Sequence, residues 1–201
     1  MSDLARALGR FAHTPLLGWN AATSVWDDTG LRGRLQVYDR FITERDFGQR
    51  KRILTLAGDK DLPGAYSVIR LGNSSTVYML ESLNKDIEGA DVYGTTFALH
   101  QAPFHVHVCR EVVETLQSGA KRKTGAEEVL FDTWVNLSRY SAVDSREFPL
   151  TDFTIYTVYL PRNVVATTDM YVRRLDNDDL LDITEVFQSL EIPAARVQRR
   201  G

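Results

Sequence analysis

The sequence is poor in features that cross-link a chain or anchor it in a membrane. It has a single cysteine, Cys109, among 201 residues, which excludes an intramolecular disulfide framework and a zinc site of several cysteines. Its apolar runs fall far short of the roughly 18 residues that a membrane-spanning helix needs. Charged residues also interrupt positions 1–20, where a signal peptide would have its apolar core. We therefore expect a soluble chain of a reducing compartment, with no membrane partner.

Motifs that carry catalysis are missing as well. No Gly-x-Ser-x-Gly nucleophile elbow occurs, and no glycine is followed by the Lys-Ser/Thr pair of a phosphate-binding loop. The acidic run at 176–182 lacks the central glycine of a calcium loop, and Phe187 stands where that loop has its last acidic ligand. Acidic residues are favourable near a helix N-terminus, which is what this run predicts. The sequence predicts that the protein is not an enzyme and carries no cofactor.

Charge of one sign is nowhere concentrated. The chain has 24 Lys and Arg against 27 Asp and Glu, a net charge of −3, whereas a dedicated duplex-DNA binder usually shows a clear basic excess on one element. Two short basic clusters occur, at 50–52 and 121–123. We interpret both as solvated surface, with contact to phosphates or to an acidic partner as the alternative.

What the sequence does contain is the alternation of apolar and polar residues that is typical of β-strands. The predicted strands are segments 35–41, 51–57, 66–71, 76–81, 94–100, 104–116, 129–137, 153–160 and 163–175. Strands at this spacing favour an antiparallel sandwich or barrel. The predicted fold is therefore mainly β: an antiparallel sandwich or barrel with long loops, a short N-terminal helix and extended terminal arms.

The chain length favours one domain over two. Residues 1–34 are predicted to form an N-terminal arm, with a helix from Asp3 to about Phe11. Residues 35–192 form the β domain, with a long exposed loop at 118–128, and residues 193–201 form a C-terminal tail.

Two hairpins and one ambiguous segment follow from the same pattern. The four-residue polar loop after residue 71 predicts that 66–71 pairs with 76–81. Segment 163–175 is predicted to be the hairpin partner of 153–160. Residues 183–190 have apolar side chains at helical spacing, so the pattern there leaves helix and strand open.

The densest group of chemically versatile side chains lies in one predicted strand. Residues two apart in a strand point to the same face, so four side chains share one side: His105, His107, Cys109 and Glu111. Imidazole and thiolate are good ligands for zinc or iron. A metal site would still need a further ligand from another strand. The ordinary interpretation is a pair of surface imidazoles, with a metal site as the less favoured alternative.

Large apolar residues near the N-terminus suggest an interface. Trp19 and Trp26 fall in a segment without clean periodicity, and a tryptophan exposes a large apolar area unless something covers it. The sequence leaves two outcomes open: the segment folds back onto its own domain, or it docks on a neighbouring subunit. For the second outcome the predicted interface residues are Phe11, Leu17, Trp19 and Trp26, as anchors of an arm that orders on binding.

Segment 38–54, followed by Tyr78-Met79-Leu80-Glu81-Ser82, resembles virion proteins of tailed bacteriophages. Among these virion proteins the general character of the segment is most similar to that of the neck proteins, also called head–tail connector or head-completion proteins. The resemblance implies a small β-barrel or sandwich with terminal arms, arranged as a homo-oligomeric ring between portal and tail. It implies portal or adaptor and tail proteins as partners, passive passage of DNA through the lumen, and a place in the virion after assembly in the host cytoplasm. It carries over no functional residues.

Three functional hypotheses remain open on the sequence. The leading one is a structural ring protein of the neck or upper tail. The alternative is a metal-dependent enzyme or cupin-like barrel that uses His105, His107 and Cys109 or Glu111. The third is a monomeric binding module whose tryptophan-bearing arm grips a peptide or glycan.

Overall fold

The computed structural model describes residues 14–38, 51–57, 67–88, 91–139, 155–187 and 192–200. Every regular element in these ranges is a β-strand, so the mainly β prediction is confirmed. Among these residues no helix is long and apolar enough to cross a membrane. The predicted helix from Asp3 to Phe11 lies outside the described residues. The chain divides into two compact units, Met1–Pro103 and Phe104–Gly201.

The first unit is a closed antiparallel barrel of six strands. In chain order they are β1 (Thr14–Asn20), β2 (Val25–Tyr38), β3 (Lys51–Ala57), β4 (Val68–Leu71), β5 (Val77–Glu88) and β6 (Asp91–Gln101). Around the barrel the order is β1-β2-β3-β6-β5-β4, and β4 pairs back onto β1. The predicted hairpin between 66–71 and 76–81 is present as β4 and β5.

The second unit is also a closed antiparallel barrel of six strands. They are β7 (Phe104–Thr115), β8 (Lys121–Arg139), β9 (Ile155–Tyr159), β10 (Met170–Arg174), β11 (Leu180–Phe187) and β12 (Ala194–Arg199). The order around the barrel is β7-β8-β9-β12-β11-β10, and β10 pairs back onto β7.

The two barrels have the same topology. If β7 is matched with β1, β8 with β2 and so on to β12 with β6, the two strand orders are identical. Each unit also has its own apolar core, described separately below. The chain is therefore a tandem repeat of one six-stranded barrel, and the prediction of a single β domain over 35–192 is corrected to two. About 100 residues suffice for such a barrel, because closure pairs every strand on both sides.

The core of the first barrel consists mainly of leucines. Its buried members are Leu16, Leu54, Leu56, Ile69, Leu71, Tyr78, Phe97 and Leu99. Gly33 of β2 lies opposite Leu56 of β3. A Cβ atom added at Gly33 would lie 2.5 Å from Leu54 Cδ1 and 2.9 Å from Leu56 Cδ2. Glycine at this position thus leaves the space that the two leucines occupy.

The core of the second barrel consists of smaller side chains, mostly valine and alanine. The connection between β9 and β10, residues 160–169, adds to it. Leu160, Val164 and Ala166 are buried in this core, whereas Val165 between them is 65% exposed. Segment 163–175 is therefore not the hairpin partner of 153–160: both edges of β9 are taken, by β8 and β12.

The predicted arm and tail are corrected where the structure describes them. Residues 14–34 contain β1 and most of β2, and a β-bulge after Pro15 breaks the alternation that would have revealed β1. The C-terminal residues form β12, whose buried side chains Ala194, Ala195 and Val197 are too small to give a strong apolar pattern.

The two segments with helix-like patterns are corrected as well. Residues 183–187 belong to strand β11, where a bulge between Ile183 and Glu185 inserts one extra residue. Ile183 and Val186 therefore both reach the core although they are three residues apart, which imitates helical spacing. The acidic run forms the turn between β10 and β11 and the start of β11, not a helix N-terminus.

Candidate functional site

The four side chains singled out in the sequence lie on β7 of the second barrel. Val106 and Val108 are fully buried in its core. Because side chains alternate along a strand, the opposite face of β7 holds the four candidates: His105, His107, Cys109 and Glu111. The pairing of β7 with β8 and β10 brings polar residues of these strands beside them. We call this outer surface of the second barrel the β7 face.

His105 is held between two residues of β8. Its Nε2 lies 2.6 Å from a carboxylate oxygen of Asp132, which accepts the ring N–H and is itself 8% exposed. The imidazole stacks on Trp134, with ring centroids 4.7 Å apart and planes within 5°. The His107 ring lies edge-on at 6.4 Å. His105 is thus fixed by neighbours within the barrel.

Cys109 is fully buried although it lies on the β7 face. Burial, reinforced by the nearby carboxylate of Glu127, raises the pKa of the Cys109 thiol to about 11. The thiolate, and not the thiol, is the nucleophile and the metal ligand. At neutral pH this side chain is therefore held as the thiol, which is not the nucleophilic form.

Glu127 joins two residues of β10 to the ribbon end of β8. Its carboxylate accepts a hydrogen bond from the Tyr171 hydroxyl at 2.5 Å and one from Arg173 at 2.6 Å. Burial and this hydrogen bond raise the pKa of Tyr171, which is 3% exposed. The Tyr171 hydroxyl thus stays protonated and serves to position Glu127.

A second ion-pair network lies at the end of the β7 face. Glu111 pairs with Lys123 at 2.5 Å and with Arg200 at 3.3 Å, and the hydrogen bond from Lys123 lowers the pKa of Glu111. Arg200 also makes a bidentate contact with Asp182 and lies 4.5 Å over the Tyr171 ring. These charges are satisfied by one another.

An open pocket of about 490 Å³ lies beside this network. Its charged lining consists of three cations and three carboxylates: Arg110, Lys123, Arg200, Glu111, Asp169 and Asp182. Because the numbers are equal, the pocket has no formal net charge with which to select an ion of either sign.

The four candidates do not converge on a metal position. In the described ranges, no three His, Cys, Asp or Glu side chains come together in an arrangement that could hold an ion. Asp132 already engages His105, and the Cys109 side chain is fully buried. The charged groups of the β7 face pair with one another, and within the described ranges they do not form a set of ligands for a metal ion.

The most exposed element of this unit is the far part of the β7–β8 hairpin, which we call the ribbon (residues 111–127). The last pair between β7 and β10 is Arg110 with Met170, and β9 pairs with β8 only from Asn136 onward. Among the described residues the ribbon therefore has no strand at either edge, and residues 112–126 are all exposed. The polar segment 118–128, predicted as a loop, is the tip and return strand of this ribbon.

Three of the four predicted interface residues, Leu17, Trp19 and Trp26, lie on strands of the first barrel. Trp19 and Trp26 face each other across the β1–β2 pair, with ring centroids 5.2 Å apart. Trp19 is only 6% exposed in a single copy, and Leu17 is half-buried. Phe11 lies outside the described residues. The segment that carries the tryptophans thus folds back onto its own unit, which is one of the two outcomes that the sequence leaves open.

Several residues of the β7 face could not be found from one strand alone. Asp132 and Trp134 alternate on β8 as His105 and His107 do on β7, which is a signal that the sequence does contain. Glu127, Tyr171 and Arg200 are brought in by register, which the sequence does not reveal.

Comparison with protein families, with curated proteins and with solved structures finds no match to this chain.

Proposed function

We propose that this protein is a non-enzymatic structural protein of a tailed-phage particle, in which copies of the chain form a ring in the neck or upper tail. In this proposal the ring connects the portal or adaptor at the capsid to the tail, and DNA passes through its lumen. The resemblance of segment 38–54 to neck proteins supports a place in a phage particle. The net charge of −3 suits a lumen through which DNA passes, because a surface of like charge does not adhere to phosphates.

The ribbon is the observation that carries the proposal. An isolated two-stranded hairpin is only marginally stable in water, yet this one extends beyond the barrel with solvent on both faces. Three of its apolar side chains are substantially exposed: Val112 (37%), Val113 (47%) and Leu116 (43%). A surface of this kind gains stability when another protein covers it.

The β7 face supports the non-enzymatic part of the proposal. Its carboxylates are bound by its own arginines, lysine and histidine, and its thiol is buried and protonated. A catalytic site needs a group left poised to act on a substrate. The metal-dependent enzyme or cupin-like barrel of His105, His107, Cys109 and Glu111 gains no supporting observation.

Localisation within the particle tests this function. Purified particles of the phage that encodes the chain should contain it in a small, fixed copy number by quantitative mass spectrometry. Labelled antibody should decorate the neck or upper tail in electron micrographs, and deletion of the gene should leave heads and tails unjoined. Absence of the chain from purified particles, together with infectious particles from the deletion, would refute the proposal.

A further inference from the structure

The ribbon and the turn between β10 and β11 lie at opposite ends of the same strand pair. β7 runs from His105 towards the ribbon, and β10 runs antiparallel to it from Met170 to Arg174. The turn that follows, residues 175–179, is fixed at the His105 end, where the Leu175 N–H donates to the His105 carbonyl at 3.1 Å. Glu111 lies six positions after His105 on β7, which corresponds to about 20 Å along the strand.

The ribbon as a whole carries three cations and three carboxylates, but charges of the two signs are separated along its length. The tip, residues 115–126, holds the three cations and no carboxylate, whereas Glu111, Glu114 and Glu127 lie nearer the barrel. Lys123 is paired with Glu111, whereas Lys121 and Arg122 are exposed close to the ribbon tip. The acidic residues of the return strand, Glu127 and Glu128, follow at its barrel end. The exposed Val112, Val113 and Leu116 lie on the other strand and at the tip.

Residues 175–179, which we call the acidic turn, are opposite in charge to the ribbon tip. It contains three carboxylates and one exposed apolar side chain, Leu175, at 37%. Asp176 and Asp179 pair with Arg174 and Arg199. Asp178 is exposed and has no ion pair in the described part of the chain, and its backbone is held at a φ of 57°.

We propose that the ribbon of one copy docks on the acidic turn of a second copy, head to tail, so that the second barrel carries both halves of a self-association surface. The two halves differ, so the contact is heterologous; such a contact closes into a ring when the rotation between copies permits and otherwise forms a filament. This inference deepens the proposed ring, on which its biological setting rests. A protein partner also suits the ribbon better than nucleic acid, because phosphates would leave Val112, Val113 and Leu116 uncovered.

Reciprocal charge reversal tests the docking in the full chain. The ribbon variant is Lys121→Glu with Arg122→Glu, and the turn variant is Asp176→Lys with Asp178→Lys. Sedimentation velocity at low salt should show concentration-dependent association of the natural chain and at least tenfold weaker association of each variant alone. Juxtaposed like charges oppose docking in each variant. An equimolar mixture of both variants should associate again, because each then offers the charge that the other lacks.

Three further variants serve as controls. Arg162→Glu reverses an exposed charge in the β9–β10 connection and should leave association unchanged. Lys121→Gln and Asp178→Asn each remove a charge with less risk to the fold, and each should weaken association by a smaller factor. Far-ultraviolet circular dichroism checks that every variant stays folded.

The outcomes separate the docking from the proposed function. Association that neither reversal alters, or that the mixture does not restore, overturns the docking and leaves the ring proposal intact. A natural chain that stays monomeric at its highest soluble concentration overturns the docking. The same holds if the chain stays monomeric and binds a duplex DNA probe through Lys121 and Arg122, which would assign the ribbon to nucleic acid. Association through the ribbon in a chain absent from purified particles would retain the docking and refute the particle role.

Discussion

Gly33 and Leu54 meet inside the first barrel, and changing either should cost stability for opposite reasons. A methyl group at Gly33 would lie 2.5 Å from Leu54 Cδ1, closer than such atoms can approach. Overfilling a packed core costs about 1–3 kcal/mol, so Gly33→Ala should lower the free energy of unfolding by that amount. Leu54 is fully buried, and Leu54→Ala should cost about 2–5 kcal/mol through lost transfer energy and the cavity left behind.

The double variant Gly33→Ala, Leu54→Ala should cost less than the sum of the two single changes. The cavity left by the leucine includes the space that the new methyl group at position 33 needs. Relief of the overlap should recover about 1 kcal/mol or more, which is the size of coupling seen between residues in contact. Urea unfolding followed by the fluorescence of Trp19 and Trp26 measures all four free energies.

Gly30 of the same strand provides the matched control. Its φ is +69°, and no atom lies within 4 Å of an added Cβ. Gly30→Ala should therefore cost about 1 kcal/mol through backbone strain alone, and its effect should add to that of Leu54→Ala. Strict additivity of the Gly33 pair, or a neutral Gly33→Ala, would show that β2 and β3 do not pack as described.

Four further predictions concern the second unit. Residues 104–201, expressed alone, should fold into a β-rich domain with a cooperative unfolding transition, because the core of this barrel is its own; a fragment without such a transition contradicts the division into two units. The native Cys109 thiol should resist modification by a thiol reagent at pH 7. The unfolding free energy should also fall from about pH 9 to 11, since the unfolded thiol ionises first while the folded one stays protonated up to a pKa of about 11; this alkaline loss should be smaller in Cys109→Ala, and an unchanged loss would assign it elsewhere. Gly125 lies in a bulge of the ribbon at a φ of +76°, so Gly125→Ala should speed amide exchange in residues 112–124 and leave the exchange of β10 as it is.

The alternation of apolar and polar residues predicted most of the strands that the structure describes. Segment 51–57 matches β3 at both ends, and the sequence also located β4, β6 and β7 to within about three residues. It missed the last seven residues of β5 and the first eight of β8. The failures have identifiable causes. A bulge concealed β1 and made β11 look helical, and the small side chains of β12 gave it a weak pattern.

The β7 face could be predicted only in part, for a reason that lies in sheet geometry. Alternation along one strand is a local property, so the shared face of His105 and His107 follows from sequence. The partners Asp132 and Arg173 depend on register, and a shift of one residue would have turned both to the core. Register depends on bulges and on which strands are neighbours, and a single sequence states neither.

The repeat escaped sequence analysis because the two barrels satisfy one topology with different side chains. The first core relies on Leu54, Leu56 and Phe97, whereas the second uses Val108, Val172 and Ala195. A closed barrel requires inward apolar side chains of suitable total volume, and many combinations meet that requirement. The topology therefore constrains the sequence of each core only weakly.

The two units differ in the length of one pair of corresponding hairpins. The hairpin β1–β2 turns within four residues after Asn20, whereas its counterpart β7–β8 has strands of 12 and 19 residues and carries the exposed ribbon. Closure of the barrel does not need these extra residues, because β10 has stopped pairing with β7 at Arg110 and β9 with β8 at Asn136. At its base the ribbon is tied to its own barrel, through Glu111 to Arg200 and through Glu127 to Tyr171. Beyond these contacts it exposes valine and lysine to solvent, which makes the ribbon, and not the histidine pair, the surface on which to test for a partner.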